Sequence, residues 1–121
     1  MILKGIKSEI DIKVEAVIRE DCGTVETVPF VAVFRTMKQS DRQKWRKLAA
    51  DILDTRPAEW DQAEHVRKYL IGWKEFPTTT GETLEFSEEN VEMVLDAIEY
   101  CEALYAGFLE MVNGAAKPKN S

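Results

Sequence analysis

The chain has little histidine and cysteine, two residue types that enzymes often use for catalysis. Its 121 residues include one histidine, His65, and two cysteines, Cys22 and Cys101. The cysteines lie far apart and form no CxxC pair, so they indicate isolated thiols and neither a zinc site nor a dithiol redox site. The six glycines never gather into a phosphate-binding loop. We therefore expect no enzymatic activity, no metal and no cofactor.

A serine-hydrolase site is also disfavoured. No serine stands in the G-x-S-x-G turn that presents a nucleophile. Ser40 and Ser87 are better explained as residues that cap helices. His65 falls away from the apolar stripe of its predicted helix, which favours a solvent-facing imidazole.

Long apolar runs are missing as well. The sequence has no stretch of about eighteen apolar residues, and its N-terminus lacks the apolar segment and cleavage site of a signal peptide. We expect a cytoplasmic protein without a membrane partner. The net charge of -6 argues against binding to nucleic acid. The basic patch Arg42–Lys47 is short, and its Trp45 is needed for the apolar stripe, so no nucleic-acid partner is expected.

The N-terminal third predicts a β-hairpin. Residues 9–18 alternate apolar and polar side chains, the period of a half-buried strand. Glu20–Gly23 supply a turn, and Thr24–Met37 indicate a second strand region. A short connection that contains glycine favours antiparallel neighbours. Pro29 cannot donate a ladder hydrogen bond, so it should lie at an edge or a bulge.

Two short helices are predicted next. Ser40 and Gln43 form a capping-box pattern at the start of the first helix. This helix should end near Thr55, because Pro57 disfavours helical geometry at the residue before it. A second helix should begin just after Pro57. The expected apolar face of the first helix comprises Trp45, Leu48, Ala49, Ile52 and Leu53. The end of the second helix is ambiguous, because three residues also alternate as in a strand: Tyr69, Ile71 and Trp73.

A turn and a last helix complete the pattern. The turn covers residues 77–83, with Gly81 suited to a positive φ, and it joins two β-like pieces into a hairpin-like segment. Ser87 is the predicted N-cap of a long helix that stops at Gly114. Its predicted apolar face comprises Val91, Val94, Leu95, Ile98, Cys101, Leu104, Tyr105, Phe108, Leu109 and Val112.

The opposite face of that last helix is acidic. It carries Glu88, Glu92, Asp96, Glu99 and Glu110. A row of carboxylates along a helix is usually a solvated face and lacks the geometry of a calcium loop. Docking of a basic partner is the alternative.

Together these elements predict an α+β fold. It consists of an N-terminal antiparallel β-hairpin, two short helices, a short hairpin-like segment and a long C-terminal amphipathic helix. The length predicts a single domain over residues 1–114, followed by a flexible tail at 115–121.

Large aromatic side chains are abundant for a core of this size. Aromatic residues and methionine are also what protein interfaces favour at their centres. Two interpretations therefore stand, burial in the core or a groove for a partner. The candidate protein-binding residues are Trp73, Phe76, Phe86, Tyr105, Phe108 and Met111.

Four stretches carry a resemblance to a known family. They are PFVAVFRTM, LIGWKEF with the turn that ends in Gly81, LEFSEENVEMVLDAI, and the last helix running out into GAAKPKN. They cover roughly Pro29–Asn120 and resemble the tail assembly chaperones of long-tailed, lambda-like siphophages and related prophages. The chain departs from the pattern at MVLDAI, where the family has a pair of leucines.

The resemblance implies a function in tail morphogenesis. Such proteins bind the long, apolar tape measure protein, keep it soluble and help recruit tail tube subunits around it. They act in the host cytoplasm and are absent from the finished virion. In many such phages a ribosomal frameshift produces an extended form that is thought to contact the tail tube protein, and the KPKN tail is compatible with a slippery site.

Other interpretations stay open. The main alternative is a small structural tail or head–tail connector protein of the virion. A host regulatory or antitoxin-like binding module is a third option. The sequence does not fix the oligomeric state, and a homo-oligomer is among the options.

Overall fold

The structure, a computed structural model, describes residues 7–55 and 62–113, without the side chains of 51–55. Within these ranges the fold is α+β, as predicted, with one three-stranded antiparallel sheet and four helices. The elements are β1 (Glu9–Arg19), β2 (Val25–Arg35), α1 (Gln39–Thr55), α2 (Gln62–Tyr69), β3 (Leu70–Lys74), α3 (Glu88–Asp96) and α4 (Ile98–Val112). The start of the second helix after Pro57, the stop at Gly114 and the tail at 115–121 lie outside the described residues. The domain bounds 1–114 stay a prediction.

The predicted N-terminal hairpin is confirmed. β1 and β2 pair antiparallel without interruption, from Glu9 opposite Arg35 to Arg19 opposite Val25. The even-numbered residues of β1 form its apolar face, and three of them, at positions 12, 14 and 16, are buried. The odd-numbered residues are exposed. Alternation in the sequence therefore fixes which face of the hairpin meets the core.

Hydrogen bonds at the two ends of the hairpin show which way each backbone group points. The amide of Thr36 donates to the Ser8 carbonyl at 3.0 Å, and the amide of Glu20 donates to the Thr24 carbonyl at 2.8 Å. Bonded pairs of an antiparallel ladder recur at every second residue. Even-numbered residues of β1 and β2 therefore bond each other, and odd-numbered residues turn their N–H and C=O groups away from the partner strand.

This parity explains the place of Pro29. Its nitrogen points away from β1, toward the side of β2 on which β3 lies. β3 pairs with that side of β2 only from Val31 to Phe34. Pro29 therefore lies on an uncovered part of the edge, where a missing N–H breaks no ladder bond. The predicted edge position is confirmed.

The partner of β3 was not predicted from the sequence. β3 pairs with β2, with a bulge between Val33 and Phe34. The piece after the PTTTG turn, which was the expected partner, contributes a single bridge between Pro77 and Thr83. Gly81 in that turn has a φ of 89°, as predicted. The segment is thus a closed loop on the end of β3 instead of a regular hairpin.

The helix boundaries agree with the sequence in most places. α1 begins at Gln39, so Ser40 lies in its first turn and does not precede the helix as its cap. The helix continues to Thr55, the last described residue before the gap at 56–61, so its predicted end stays a prediction. α2 ends at Tyr69, and β3 follows with no intervening residue, which resolves the ambiguous segment. Ser87 caps α3 as predicted, because its Oγ accepts from the Asn90 amide at 3.1 Å.

The last helix is broken into two. Ala97 separates α3 from α4 with φ −90° and ψ 116°, an extended conformation. No glycine or proline marks this point, so the break had no local signal in the sequence. It leaves Ile98 66% exposed. The prediction that Ile98 lies on the apolar face is wrong.

The core lies between the inner face of the sheet and α2, α3 and α4. Its largest fully buried side chains are Phe34, Val66, Leu104, Phe108 and Val112. No helix in the described ranges is long and apolar enough to cross a membrane.

Candidate partner-binding surface

The structure divides the six predicted binding residues between core and surface. Trp73, Phe76, Phe108 and Met111 are buried, with at most 8% of each residue exposed. Phe86 and Tyr105 are half-buried. The first four side chains therefore fill the core of the folded chain and form no exposed groove, whereas the other two retain accessible surface.

One group of rings fixes the loop that follows β3. This group, the Phe76 cluster, comprises Phe30, Trp73, Phe76, Phe86 and Tyr100. The Phe76 ring centroid lies 4.3 Å from that of Phe30 and 4.9 Å from that of Trp73. Phe86 meets the Trp73 ring edge-on at 4.8 Å. These contacts hold residues 75–87 against the sheet.

A hydrogen bond strengthens the same attachment. The indole N–H of Trp73 donates to the Leu84 carbonyl at 2.8 Å, and the Leu84 amide donates to the Phe76 carbonyl at 2.8 Å. A buried indole needs such an acceptor, since an unpaired donor costs about 1–3 kcal/mol. Trp73 therefore has a structural role in closing the loop.

A second group of rings joins three helices. This group, the Phe108 cluster, comprises Trp45 of α1, His65 and Tyr69 of α2, and Tyr105 and Phe108 of α4. Around the buried Phe108, Trp45 packs edge-on at 5.6 Å, and His65 and Tyr105 stack at 6.2 and 5.9 Å. Trp45, His65 and Tyr105 are each half-buried, so the cluster reaches the surface at this helix junction.

His65 differs from the sequence prediction, and its neighbour in the cluster, Tyr69, is a buried phenol. The imidazole of His65 stacks on Phe108 and is half-buried, so it is not a solvent-facing side chain. Burial raises the pKa of the Tyr69 phenol, the charge of Asp41 raises it further, and Arg35 lowers it. The Arg35 guanidinium lies 4.6 Å from the centre of the Tyr69 ring.

Trp45 anchors α1 to this junction, and the predicted apolar side chains of Ile52 and Leu53 lie outside the described ones. Among its described side chains, only Trp45 packs against the hydrophobic core. Leu48, which the sequence placed on the apolar face, is 47% exposed. The prediction that Leu48 faces the core is wrong, because helical spacing gives the face of a helix but not how deeply the face is covered.

The attachment of α1 is also incomplete in its hydrogen bonds. Nε of Arg42 and Nε1 of Trp45 are buried, and neither has an acceptor in the described part of the chain. Each such donor costs about 1–3 kcal/mol.

The acidic face of the last helices is largely exposed. Glu88, Glu92 and Asp96 are exposed, and Glu92 accepts a 2.7 Å hydrogen bond from Arg67 Nε. In the described ranges no group of three or more histidine, cysteine or acidic side chains could hold a metal ion.

Other exposed apolar side chains are spread over the molecule. They are Val17, Val25, Ile71, Met93 and Ile98. Ile71 follows Tyr69 of the Phe108 cluster by two residues, whereas the other four lie farther from the cluster along the chain. The combination of half-buried rings, an exposed leucine and unpaired donors occurs at the α1 junction, which makes this junction the candidate partner-binding surface. Comparisons with protein-family models, with curated proteins and with solved structures gave no match to the chain.

Proposed function

We propose that this chain is a tail assembly chaperone of a long-tailed bacteriophage or prophage. It binds the tape measure protein, keeps it soluble in the host cytoplasm and helps recruit tail tube subunits. It performs no catalysis and is absent from the finished virion. The proposal begins from the resemblance carried by LIGWKEF, LEFSEEN and the flanking stretches.

The local roles of these motif residues support the proposal. Trp73 closes the loop after β3 through its bond to the Leu84 carbonyl. Ser87 caps α3, and the side-chain amide of Asn90 donates to the Glu85 carbonyl at 2.8 Å. Trp73, Ser87 and Asn90 therefore each have a role in folding, and this agrees with motifs that are structural and not catalytic.

The α1 junction is the observation that carries the proposal. A client helix that is amphipathic can lay its apolar side chains into a groove lined by apolar and aromatic residues. The half-buried Trp45 and Tyr105 and the exposed Leu48 provide such a lining. The exposed Arg46 and Lys47 provide a charged rim. We assign the client to this surface.

A weak contact at each copy is sufficient for this function. The tape measure protein is long, so many chaperone copies can bind it side by side, and the combined effect of many weak contacts is strong. A surface with half-buried rings is sufficient for such contacts, and a deep pocket is not required.

The composition of purified phage particles tests the proposal against a structural role. Mass spectrometry of particles from the phage that encodes this chain should find the tail tube and tape measure proteins and lack this chain. Its presence at a stoichiometric level would contradict the proposal and would favour a structural tail or connector protein.

A further inference from the structure

β1 leaves one edge of the sheet without a partner in the described part of the chain. The strand order is β1–β2–β3, so only one side of β1 is paired. By the parity of the hairpin, its odd-numbered residues direct their N–H and C=O groups to the open side. These residues are Glu9, Asp11, Lys13, Glu15, Val17 and Arg19. An open edge of this length is a template for pairing with another strand.

The charges along this edge select one partner. We propose that a second copy of this chain pairs with it, β1 against β1 in antiparallel orientation, about a two-fold axis at Val14. Glu9 then lies opposite Arg19 of the second copy, Lys13 lies opposite Glu15, and Asp11 lies opposite Val17. By symmetry each pair occurs twice. Every charged pair is of opposite sign, and opposite charges directly across two strands stabilise the pairing.

Neighbouring registers lack this complementarity. An axis at Lys13 sets Lys13 opposite itself and Asp11 opposite Glu15. An axis at Glu15 sets Glu15 opposite itself. An axis two residues from Val14, at Ile12 or Ala16, again opposes like charges. Charged side chains on an edge strand usually discourage pairing with another strand. In β1 they oppose like charges in each neighbouring register described above. They do not do so in the register centred on Val14, which pairs β1 along its whole length.

The proposed register also continues the apolar face of the sheet. Even-numbered residues would lie opposite one another beneath the helices, with Val14 opposite itself. The remaining pairs are Ile10 with Ile18 and Ile12 with Ala16. Ile10 and Ile18 are half-buried in the single chain, so pairing would cover apolar surface that the monomer leaves partly open.

α4 packs mainly on the apolar face of β1. A Cβ on Gly107 would lie 2.6 Å from Cγ1 of Val14 and 3.6 Å from Cγ2 of Ile12, both on β1, and 3.3 Å from the Phe34 ring on β2. The side of α4 toward the open edge carries Ala103, Ala106 and Glu110, which line a cavity with Lys13 and Glu15. No described part of the chain fills this part of the edge, which leaves room for a second copy.

The inference does not depend on the proposed function, and sedimentation equilibrium tests it without a client. The wild-type protein should have twice the 13.8 kDa chain mass. Lys13→Glu places a glutamate opposite Glu15 of the second copy, and Glu15→Lys places a lysine opposite Lys13. Each change replaces two attractive pairs by two repulsive ones, which should weaken dimerisation on the order of tenfold or more.

Two combinations should restore the dimer. The double variant Lys13→Glu/Glu15→Lys exchanges the charges and regenerates opposite pairs. An equimolar mixture of the two single variants should form a heterodimer, because each chain then supplies the charge that the other lacks. Lys44→Glu and Glu85→Lys are the matched controls, since they make the same charge changes at exposed positions away from β1 and from the α4 side at its edge. They should leave dimerisation unchanged.

Three results would overturn the inference. One is a wild-type protein that sediments as a monomer. Another is failure of both the double variant and the mixture to recover the dimer although circular dichroism shows folded chains. The third is equal weakening by the matched controls, which would indicate an effect of net charge alone.

Discussion

Gly107 of α4 lies directly against Val14 of β1: a Cβ built on the glycine would stand 2.6 Å from Cγ1 of Val14. The same Cβ would lie 3.3 Å from a ring atom of Phe34. Glycine at this helix position therefore permits the close approach of α4 to the hairpin, although glycine is a poor helix former. The contact ties the last helix to the first strand of the chain.

Substitution Gly107→Ala tests this contact. Alanine would gain about 1 kcal/mol of helix propensity, but overpacking of the core typically costs about 1–3 kcal/mol. We expect a net decrease in the free energy of unfolding, measured by urea denaturation. In the Val14→Ala background the clashing methyl group is absent, so Gly107→Ala should be neutral or stabilising there. An equal effect in both backgrounds would contradict the contact, because independent sites give additive changes.

Trp73 is a core residue in the structure, with 8% of its surface exposed. Replacing Trp73 with Ala should lower the free energy of unfolding by about 3–5 kcal/mol, as for other large-to-small changes at buried aromatic positions. Trp73→Phe keeps a ring in the Phe76 cluster but removes the donor to the Leu84 carbonyl. It should lower the free energy of unfolding by less than Trp73→Ala does, and this decrease reports the lost hydrogen bond and the lost side-chain volume together. A Trp73→Ala variant with the melting curve of the wild type would show that the ring is not part of the core.

Stability should fall in strongly alkaline solution. Burial raises the pKa of Tyr69 and Tyr100 above the ordinary value of 10.0, with smaller contributions from Asp41 to Tyr69 and from Glu26 and Glu99 to Tyr100. The folded state thus holds these protons more tightly than the unfolded chain. The contribution to stability is fully present below 10.0 and is lost as the pH rises through the folded-state pKa values.

The alkaline effect can be assigned to these residues by substitution. Tyr69→Phe and Tyr100→Phe should each flatten the decline in the free energy of unfolding above pH 10.0, the ordinary tyrosine pKa. Unfolding followed in urea at a series of pH values measures the decline. An undiminished decline in the double variant would mean that other groups cause it.

Short-range sequence patterns predicted the elements that depend on neighbouring residues, namely the N-terminal hairpin and the start of α3. Alternation over residues 9–18 gave the hairpin and its buried face, and the hydroxyl of Ser87 gave the start of α3. The break at Ala97 could not be predicted, since neither glycine nor proline is present there and the surrounding residues favour helix. The pairing of β3 with β2 joins residues far apart in the sequence, and no local pattern encodes such a contact.

The sequence could not predict which of the candidate binding residues remain exposed, because exposure also depends on contacts between distant parts of the chain. Composition shows that a side chain is large and apolar, but only packing decides how much of it stays exposed. Trp73, Phe76, Phe108 and Met111 proved to be core, whereas Leu48 on an apparently inward face is exposed. Of the predicted binding residues, Tyr105 lies at the proposed junction.

We propose that the tape measure protein binds at the α1 junction, and substitutions at exposed positions test this. Leu48→Glu adds a charge at the junction, and Ile98→Glu adds the same charge at another exposed apolar position, between α3 and α4. Both residues are exposed and glutamate is a good helix former, so we expect both variants to fold. Equal melting temperatures of the two variants and the wild type would establish that folding is unaffected.

The most direct measurement is the soluble fraction of the tape measure protein when the two genes are expressed together. The wild-type chain should raise that fraction, Ile98→Glu should raise it equally, and Leu48→Glu should lose most of the effect. An unchanged soluble fraction with the wild-type chain would contradict the proposed function. An equal loss in both variants would contradict the assignment of the client to the α1 junction.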